Sequence, residues 1–300
     1  MPVENMPLIT LFSAPKPFTN PHIATIQRNA IKSWTLLPNV EVILLGEETG
    51  LAEAAKELGV KHLPNVARSE AGTPLISSMF QLARENSASD LLCIINADMI
   101  LFPDFIEAAK QVAQLKNQFV SMSQRWDLDV TQPIEFNDGW QNRLRSTVLS
   151  QGALHRPMGS DFFLFPRSSF LDMPTFAIGR AGWDNWMIYK SRKEGWATVD
   201  VTPSVMIVHQ NHDYSHLPGG QPHYKHPETD VNIQLAGGRE VTRFTLLDVD
   251  CRLSEGKLIP RKWNRQTLRR AIESYPLLAW DNYKLAAKVS ALFRRFRSKK

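Results

Sequence analysis

The chain has 300 residues, 43% of them apolar and 22% charged, with only two cysteines, proportions that describe a folded globular protein and exclude a disordered, fibrous or disulfide-built one. The formal charge of +5 would ordinarily raise nucleic acid as a partner, but its distribution argues otherwise. Pro260 to Lys300 holds 12 Lys/Arg against two acids, Glu273 and Asp281, a local +10, while the rest of the chain carries 23 basic and 28 acidic groups, a local −5. Cys93 and Cys251 form no CxxC pair, which leaves no zinc ribbon or redox dithiol and suits reduced thiols in a cytosol. The segment Met1 to Leu8 lacks the pattern of an export signal, and no run approaches about 18 apolar residues. The expectation is a cytoplasmic protein that does not span a membrane.

In the first third, short apolar β-type runs alternate with helical patterns, the signature of βαβ units and a mostly parallel sheet. Leu8 to Ser13 reads as a strand. Asn20-Pro21 supplies an N-cap and a first-turn proline for a helix in which Ile23, Ile26, Ala30, Ile31 and Trp34 recur at helical spacing. A strand over Val40 to Leu45, a short helix from Leu51 to Leu58 closed by Gly59, and a strand over Val60 to Leu63 follow. Thr73-Pro74 opens another helix carrying Leu75, Met79 and Leu82. Leu91 to Ile95 is unbroken apolar sequence, as in a strand buried on both faces. It ends in Asn96-Ala97-Asp98, polar residues at the strand end where open α/β sheets bind ligands. A helix from Asp104 to Leu115 and a strand over Phe119 to Ser123 come next.

Beyond residue 125 the alternation loosens. Asp161 to Phe165, Ala197 to Asp200 and Ser204 to Val208 read as strands, and Asp184 to Glu194 as a helix stopped by Gly195. From His209 to Pro227 no element is legible, and a loop of that length in a compact chain suggests a lid or binding segment. No linker divides residues 1–259, and residues 260–300 read as a basic, amphipathic helical extension.

Three constellations carry chemistry. Asp98 either holds a divalent cation through its hard oxygens or caps the turn. In Gly182-Trp183-Asp184, a carboxylate beside a large apolar wall is set to have a raised pKa and act as a general base, the plainer alternative being an N-cap with core tryptophans. Five of the eight histidines fall between His209 and His226, a density that favours metal or phosphate contact by at least one of them.

Taken in order, a first strand ending in Ser13-Ala14-Pro15, the Asn96-Ala97-Asp98 turn, the Gly182-Trp183-Asp184 segment and the strand-terminal His209 resemble a GT-A glycosyltransferase of the family 2 type, over residues 7–215. The resemblance implies a GT-A α/β fold with a mostly parallel central sheet flanked by helices. It implies sugar transfer from a nucleotide-sugar donor to the hydroxyl of a glycan, lipid-linked or small-molecule acceptor, with Mn²⁺ or Mg²⁺ on the donor diphosphate. Asp98 then matches the last carboxylate of the family's Asp-x-Asp motif, Asn96 stands where its first acid is expected, and His209 matches the C-terminal metal ligand. Asp184 matches the base of inverting members, with Asp161 and Trp183 beside the acceptor. Ser13, Ala14, Pro15 and Glu47 would meet the donor's base and ribose, Arg68 and Arg180 its phosphates, and the segment from His212 to His226 would fold over it.

A hydrolase reading gathers His209, His212, Asp213 and His216 around a metal but leaves Asp98 and Asp184 without work. A dinucleotide enzyme is disfavoured because no GxGxxG follows the first strand. In the tail, Leu285, Val289, Leu292, Phe293 and Phe296 share one helical face, opposed by Lys284, Lys288, Arg294 and Arg295. That face suits either the inner surface of an anionic membrane or the catalytic body. No nucleic-acid partner is expected.

Overall fold

The computed structural model describes residues 8–212 and 226–297. The chain opens with β1 (Ile9–Ser13), α1 (Pro21–Thr35), β2 (Val40–Leu45), α2 (Leu51–Leu58), β3 (Lys61–Leu63), α3 (Ile76–Glu85), β4 (Leu91–Ile95) and the two-residue β5 (Met99–Ile100). It continues through α4 (Asp104–Leu115), β6 (Phe119–Met122), β7 (Trp126–Leu128), α5 (Trp140–Gln151), β8 (Ala153–Leu154) and β9 (Phe162–Pro166). The last part comprises α6 (Trp183–Lys193), β10 (Ala197–Asp200), β11 (Val208–Gln210), α7 (Pro227–Leu235), β12 (Cys251–Ser254), β13 (Lys257–Pro260), α8 (Arg265–Trp280) and α9 (Tyr283–Arg297).

The central sheet has nine strands in the order β13-β12-β10-β6-β9-β4-β1-β2-β3. It is parallel except where β9 runs against β4 and β6, and β13 against β12. The expected α/β class, with a mostly parallel sheet flanked by helices, is what forms. Strand pleating explains the unbroken apolar run of β4. Leu91, Cys93 and Ile95 enter the core layer shared with α1 and α4, and Leu92 and Ile94 enter the opposite layer with α3 and α6.

From β1 the chain winds outward through β2 and β3, then returns to place β4 on the other side of β1. That reversal leaves a crevice at the carboxyl ends of β1 and β4, the position at which open α/β sheets take ligands. Phe12 pairs with Ile94, so Ser13 and Ile95 end level with one another. A second sheet, β5-β11-β7-β8, lies beside this crevice over its own core, in which Phe102 stacks on Trp140.

The helix α1 is anchored as its sequence suggests. Asn20 accepts hydrogen bonds from the N–H groups of His22 and Ile23, and Ile23, Ile26, Ala30, Ile31 and Trp34 are buried. The Trp34 indole N–H donates to the carbonyl of Met99 at 2.8 Å, tying the helix to the turn that carries Asp98.

Several elements differ from the sequence reading. The strand expected over Ser204 to Val208 is β11, displaced to Val208–Gln210, so His209 lies within a strand rather than after it. The helix α7 and the hairpin β12–β13 occupy stretches to which the sequence reading assigns no element; the hairpin turns at Glu255-Gly256, both with positive φ, as a tight antiparallel turn requires. Residues 213–225, including Asp213, His216, Gly219, Gly220 and His223 of the proposed lid and hydrolase cluster, lie outside the described residues.

The tail is two helices, not one. The sequence leaves the apolar face of α9 to a membrane or to the body; in the structure Ala286 and Ser290 of that helix are buried, Leu285, Val289 and Phe293 are half-buried, and Leu292 is exposed. Further exposed apolar residues lie on α8, where Leu268, Ile272 and Tyr275 follow i, i+4, i+7 spacing and Tyr275 meets the ring of Trp280. Ion pairs of Arg270 with Asp248 and of Arg243 with Glu273 hold α8 to the body. Among the described residues, no helix is long and apolar enough to cross a membrane.

Candidate metal centre

Asp98 lies just past β4, with His209 and His212 carried to it by β11. Strand β11 is fixed here by its own polar residue: the buried Gln210 donates from its side chain to the carbonyls of Ile26 and Asp98, and accepts from Asn29. His212 Nε2 lies 3.1 Å and His209 Nε2 4.0 Å from Asp98 Oδ2. Among the described residues, Asp98, His209 and His212 are the group of acidic and imidazole side chains whose ligand atoms converge, all within 4.8 Å of one another.

The donor set fits a divalent cation. Asp98 Oδ1 is buried and has no hydrogen-bond partner among the described residues, an orphan that a metal would satisfy. Burial pushes the Asp98 carboxyl upward, but the hydrogen bond from His212 and the charge of Lys16 lead the influences that outweigh it and hold the group ionised, well below the usual range. Burial keeps His209 below its ordinary value, so it is a neutral imidazole at pH 7. Its Nδ1 lies 3.1 Å from Asp127 Oδ1, its cross-strand neighbour on β7. With the proton assigned to Nδ1 by that carboxylate, Nε2 presents a lone pair toward Asp98, the carboxylate–imidazole support usual behind a metal ligand.

Asp127 also accepts from His155 Nδ1 at 2.7 Å and from Arg125 Nε at 2.8 Å. Arg125 Nη1 in turn reaches both oxygens of Asp161 at 2.7 Å, and Asn96 Nδ2 donates to the same carboxylate at 2.9 Å. A continuous polar chain therefore runs from Asp98 through His209, Asp127 and Arg125 to Asp161. Asn96, at the position where the family's first acid is expected, is spent on Asp161.

Asp184 stands at the start of α6 after Gly182, whose positive φ a side chain would strain. Withdrawal from water raises its carboxyl to about 6; the N–H groups of Asn185 and Gly182 pull it down, and the charge of Asp161 pushes it up. That raised value is the one anticipated for a base beside an apolar wall. Trp183, the residue before it, is buried with its ring against Phe163.

The remaining predicted residues divide into two groups. Ser13 and Pro15 are buried and Ala14 is half-buried where β1 opens into the crevice. Arg68 bridges Glu47 at 3.6 Å and Glu48 at 2.9 Å. Arg180 pairs with Glu228 at 3.0 Å, and Glu228 also accepts from Ser69 and Thr73. Both arginines predicted to meet phosphate thus have carboxylate partners of their own.

Sequence reasoning missed Lys16, Arg125 and Asp127. Lys16 Nζ lies 2.9 Å from His212 Nε2 and 3.8 Å from Asp98 Oδ2. Burial lowers its pKa, partly offset by Asp98. The signal for Arg125 and Asp127 was present: two charges at period two, directly past a buried strand, must share one face.

No family model matches the chain, and neither does any curated protein sequence. Solved structures do. A mannosyltransferase from Pyrobaculum calidifontis, in complex with GDP-mannose and Mn²⁺, is 14% identical with a TM-score of 0.46 over 70% of this chain. The match spans only 59% of that mannosyltransferase's length. A glucosyl-3-phosphoglycerate synthase from Mycobacterium tuberculosis, in complex with phosphoglyceric acid, is 16% identical with a TM-score of 0.43, covering 69% of this chain and 73% of that one.

Proposed function

We propose that this chain is a GT-A type glycosyltransferase that moves a sugar from a nucleotide-diphosphate donor to an acceptor hydroxyl, with inversion. The observation that carries the reading is the convergence of Asp98, His209 and His212, with one unsatisfied carboxylate oxygen, at the crevice where the order of the sheet reverses. Asp98, His209 and His212 would hold a divalent cation, and two imidazoles beside one carboxylate favour Mn²⁺ over the oxygen-seeking Mg²⁺. When bound, such an ion supplies charge that offsets what builds on the leaving diphosphate.

The chain's own residues supply the rest. The end of β1, Ser13 to Pro15, with Glu47 beyond β2, would line the donor's nucleoside. Asp184, with its carboxyl raised to about 6, is ionised at neutral pH yet basic enough to take the proton of an acceptor hydroxyl. Asp161, locked to Arg125 and Asn96, sits close enough to help set that value and to border the acceptor. The transferase reading gives work to Asp98, on which His209 and His212 converge, whereas the hydrolase alternative uses those histidines without it.

A lipid-linked acceptor would suit the exposed Leu268, Ile272, Tyr275 and Trp280 of α8. With the basic tail around them, they form the surface proposed to rest on an anionic membrane; co-sedimentation with phosphatidylglycerol vesicles, absent with neutral ones, checks it.

Melting temperature measured against UDP-, GDP-, CMP- and dTDP-sugars, with and without Mn²⁺, tests the donor assignment. One donor class is expected to raise it by several degrees, about the effect of ligand at 100 times its Kd, and only with the metal. No shift with any donor would remove the reading.

A further inference from the structure

We infer that Lys16 is a displaceable counter-ion: its ammonium covers the Asp98–His212 edge of the metal site until a cation arrives, then turns to the donor's diphosphate, so that metal and diphosphate bind cooperatively. The inference rests on the reading of this crevice as a metal and nucleotide-sugar site.

Lys16 Nζ approaches two of the three ligand atoms, His212 Nε2 at 2.9 Å and Asp98 Oδ2 at 3.8 Å. Lys16 Nζ and Asp98 Oδ2 face the same nitrogen, His212 Nε2, so the ammonium stands on the edge of the imidazole and carboxylate that a cation would occupy. A divalent ion between the same groups would meet the Lys16 charge across a few ångströms in a poorly hydrated crevice, and one of the two must leave.

The local structure lets Lys16 leave without disturbing the fold. Its backbone is clamped by the buried Gln27, whose Oε1 accepts from Lys16 N at 2.6 Å and whose Nε2 donates to Lys16 O at 2.9 Å. The root of the side chain is therefore fixed, while its four-carbon stem can swing. The side chain is 31% exposed, against 12% for Asp98 and 10% for His212, so it has a path outward.

Charge bookkeeping then selects its destination. Arg68 is matched by Glu47 and Glu48, and Arg180 by Glu228, so binding of a metal leaves both pairs intact. Lys16 is the cation whose carboxylate partner the metal would take. It projects from the end of β1 into the crevice at the sheet's reversal, where a donor diphosphate would provide the nearest replacement anion.

The test titrates Mn²⁺ alone, read by the electron paramagnetic resonance signal of the free ion, into wild type, Lys16→Met and Lys16→Arg. Lys16→Met is expected to bind Mn²⁺ about tenfold tighter than wild type, and Lys16→Arg as weakly as wild type, since it keeps the charge. At saturating Mn²⁺, UDP or GDP, whichever stabilises wild type, is expected to bind Lys16→Met about tenfold more weakly. Measurable Mn²⁺ binding of equal strength in wild type and Lys16→Met would overturn the counter-ion role while leaving the metal site standing. If none of the three proteins bound Mn²⁺, the metal site itself would fall, and the inference with it.

Discussion

Asp98→Asn is expected to lower turnover by about a thousandfold, since a metal-stabilised leaving group is worth several kcal/mol of barrier. The substitution keeps the size of the side chain and the polar contact with His212, so the fold should survive; circular dichroism at matched temperature checks this. What it removes is the charge that burial would otherwise expel and that His212 and Lys16 hold in place. Mn²⁺ affinity should fall with turnover, and raising Mn²⁺ should restore little of the rate. Retained Mn²⁺ affinity with full turnover would show that the cluster is a structural hydrogen-bond knot. Steady-state rates over a range of Mn²⁺ concentrations distinguish the two outcomes.

Asp184→Asn is expected to reduce kcat by about 10²- to 10⁴-fold while leaving Mn²⁺-dependent donor binding intact, because the lost group acts only on the acceptor proton. The pH profile gives an independent reading. A base works ionised, and burial raises this carboxyl to about 6, so wild-type kcat/KM should hold near pH 8 and fall about tenfold per unit below pH 6. The residual activity of Asp184→Asn should lack that acid limb. If the limb persisted in the variant, another group would be the base.

The parts of the site that were legible in the sequence lie at the ends of long, strongly patterned elements. Asn96-Ala97-Asp98 was visible because β4 is buried on both faces and any polar residue after it must emerge at the sheet's edge. Asp184 was visible because glycine, tryptophan and aspartate together mark a helix start against an apolar wall. His209 was found for a slightly wrong reason: it lies inside β11, and that placement lets Asp127 orient it.

What escaped was the small second sheet. Strands β5, β7, β8 and β11 are two or three residues long, too short for a period-two pattern to stand out, and they pair across large sequence separations. Arg125 and Asp127 come to lie beside His209 and Asp161 only through that pairing. Lys16 escaped differently, since a single lysine after a strand carries no pattern and its role depends on where Gln27 holds its backbone. The tail stayed open between membrane and body because helical spacing gives α9 an apolar face without saying whether the body covers it. It does in part, through Ala286 and Ser290, while Leu292 stays exposed and α8 carries an exposed stripe of its own.

The most direct single measurement is release of nucleoside diphosphate from UDP-, GDP- and dTDP-sugars by the purified chain, with Mn²⁺ and again with excess EDTA. Metal-dependent release from one of the three, abolished by EDTA and recovered when Mn²⁺ is restored, is the predicted result. Release unaffected by EDTA, or no release from any donor at any metal concentration, would contradict it.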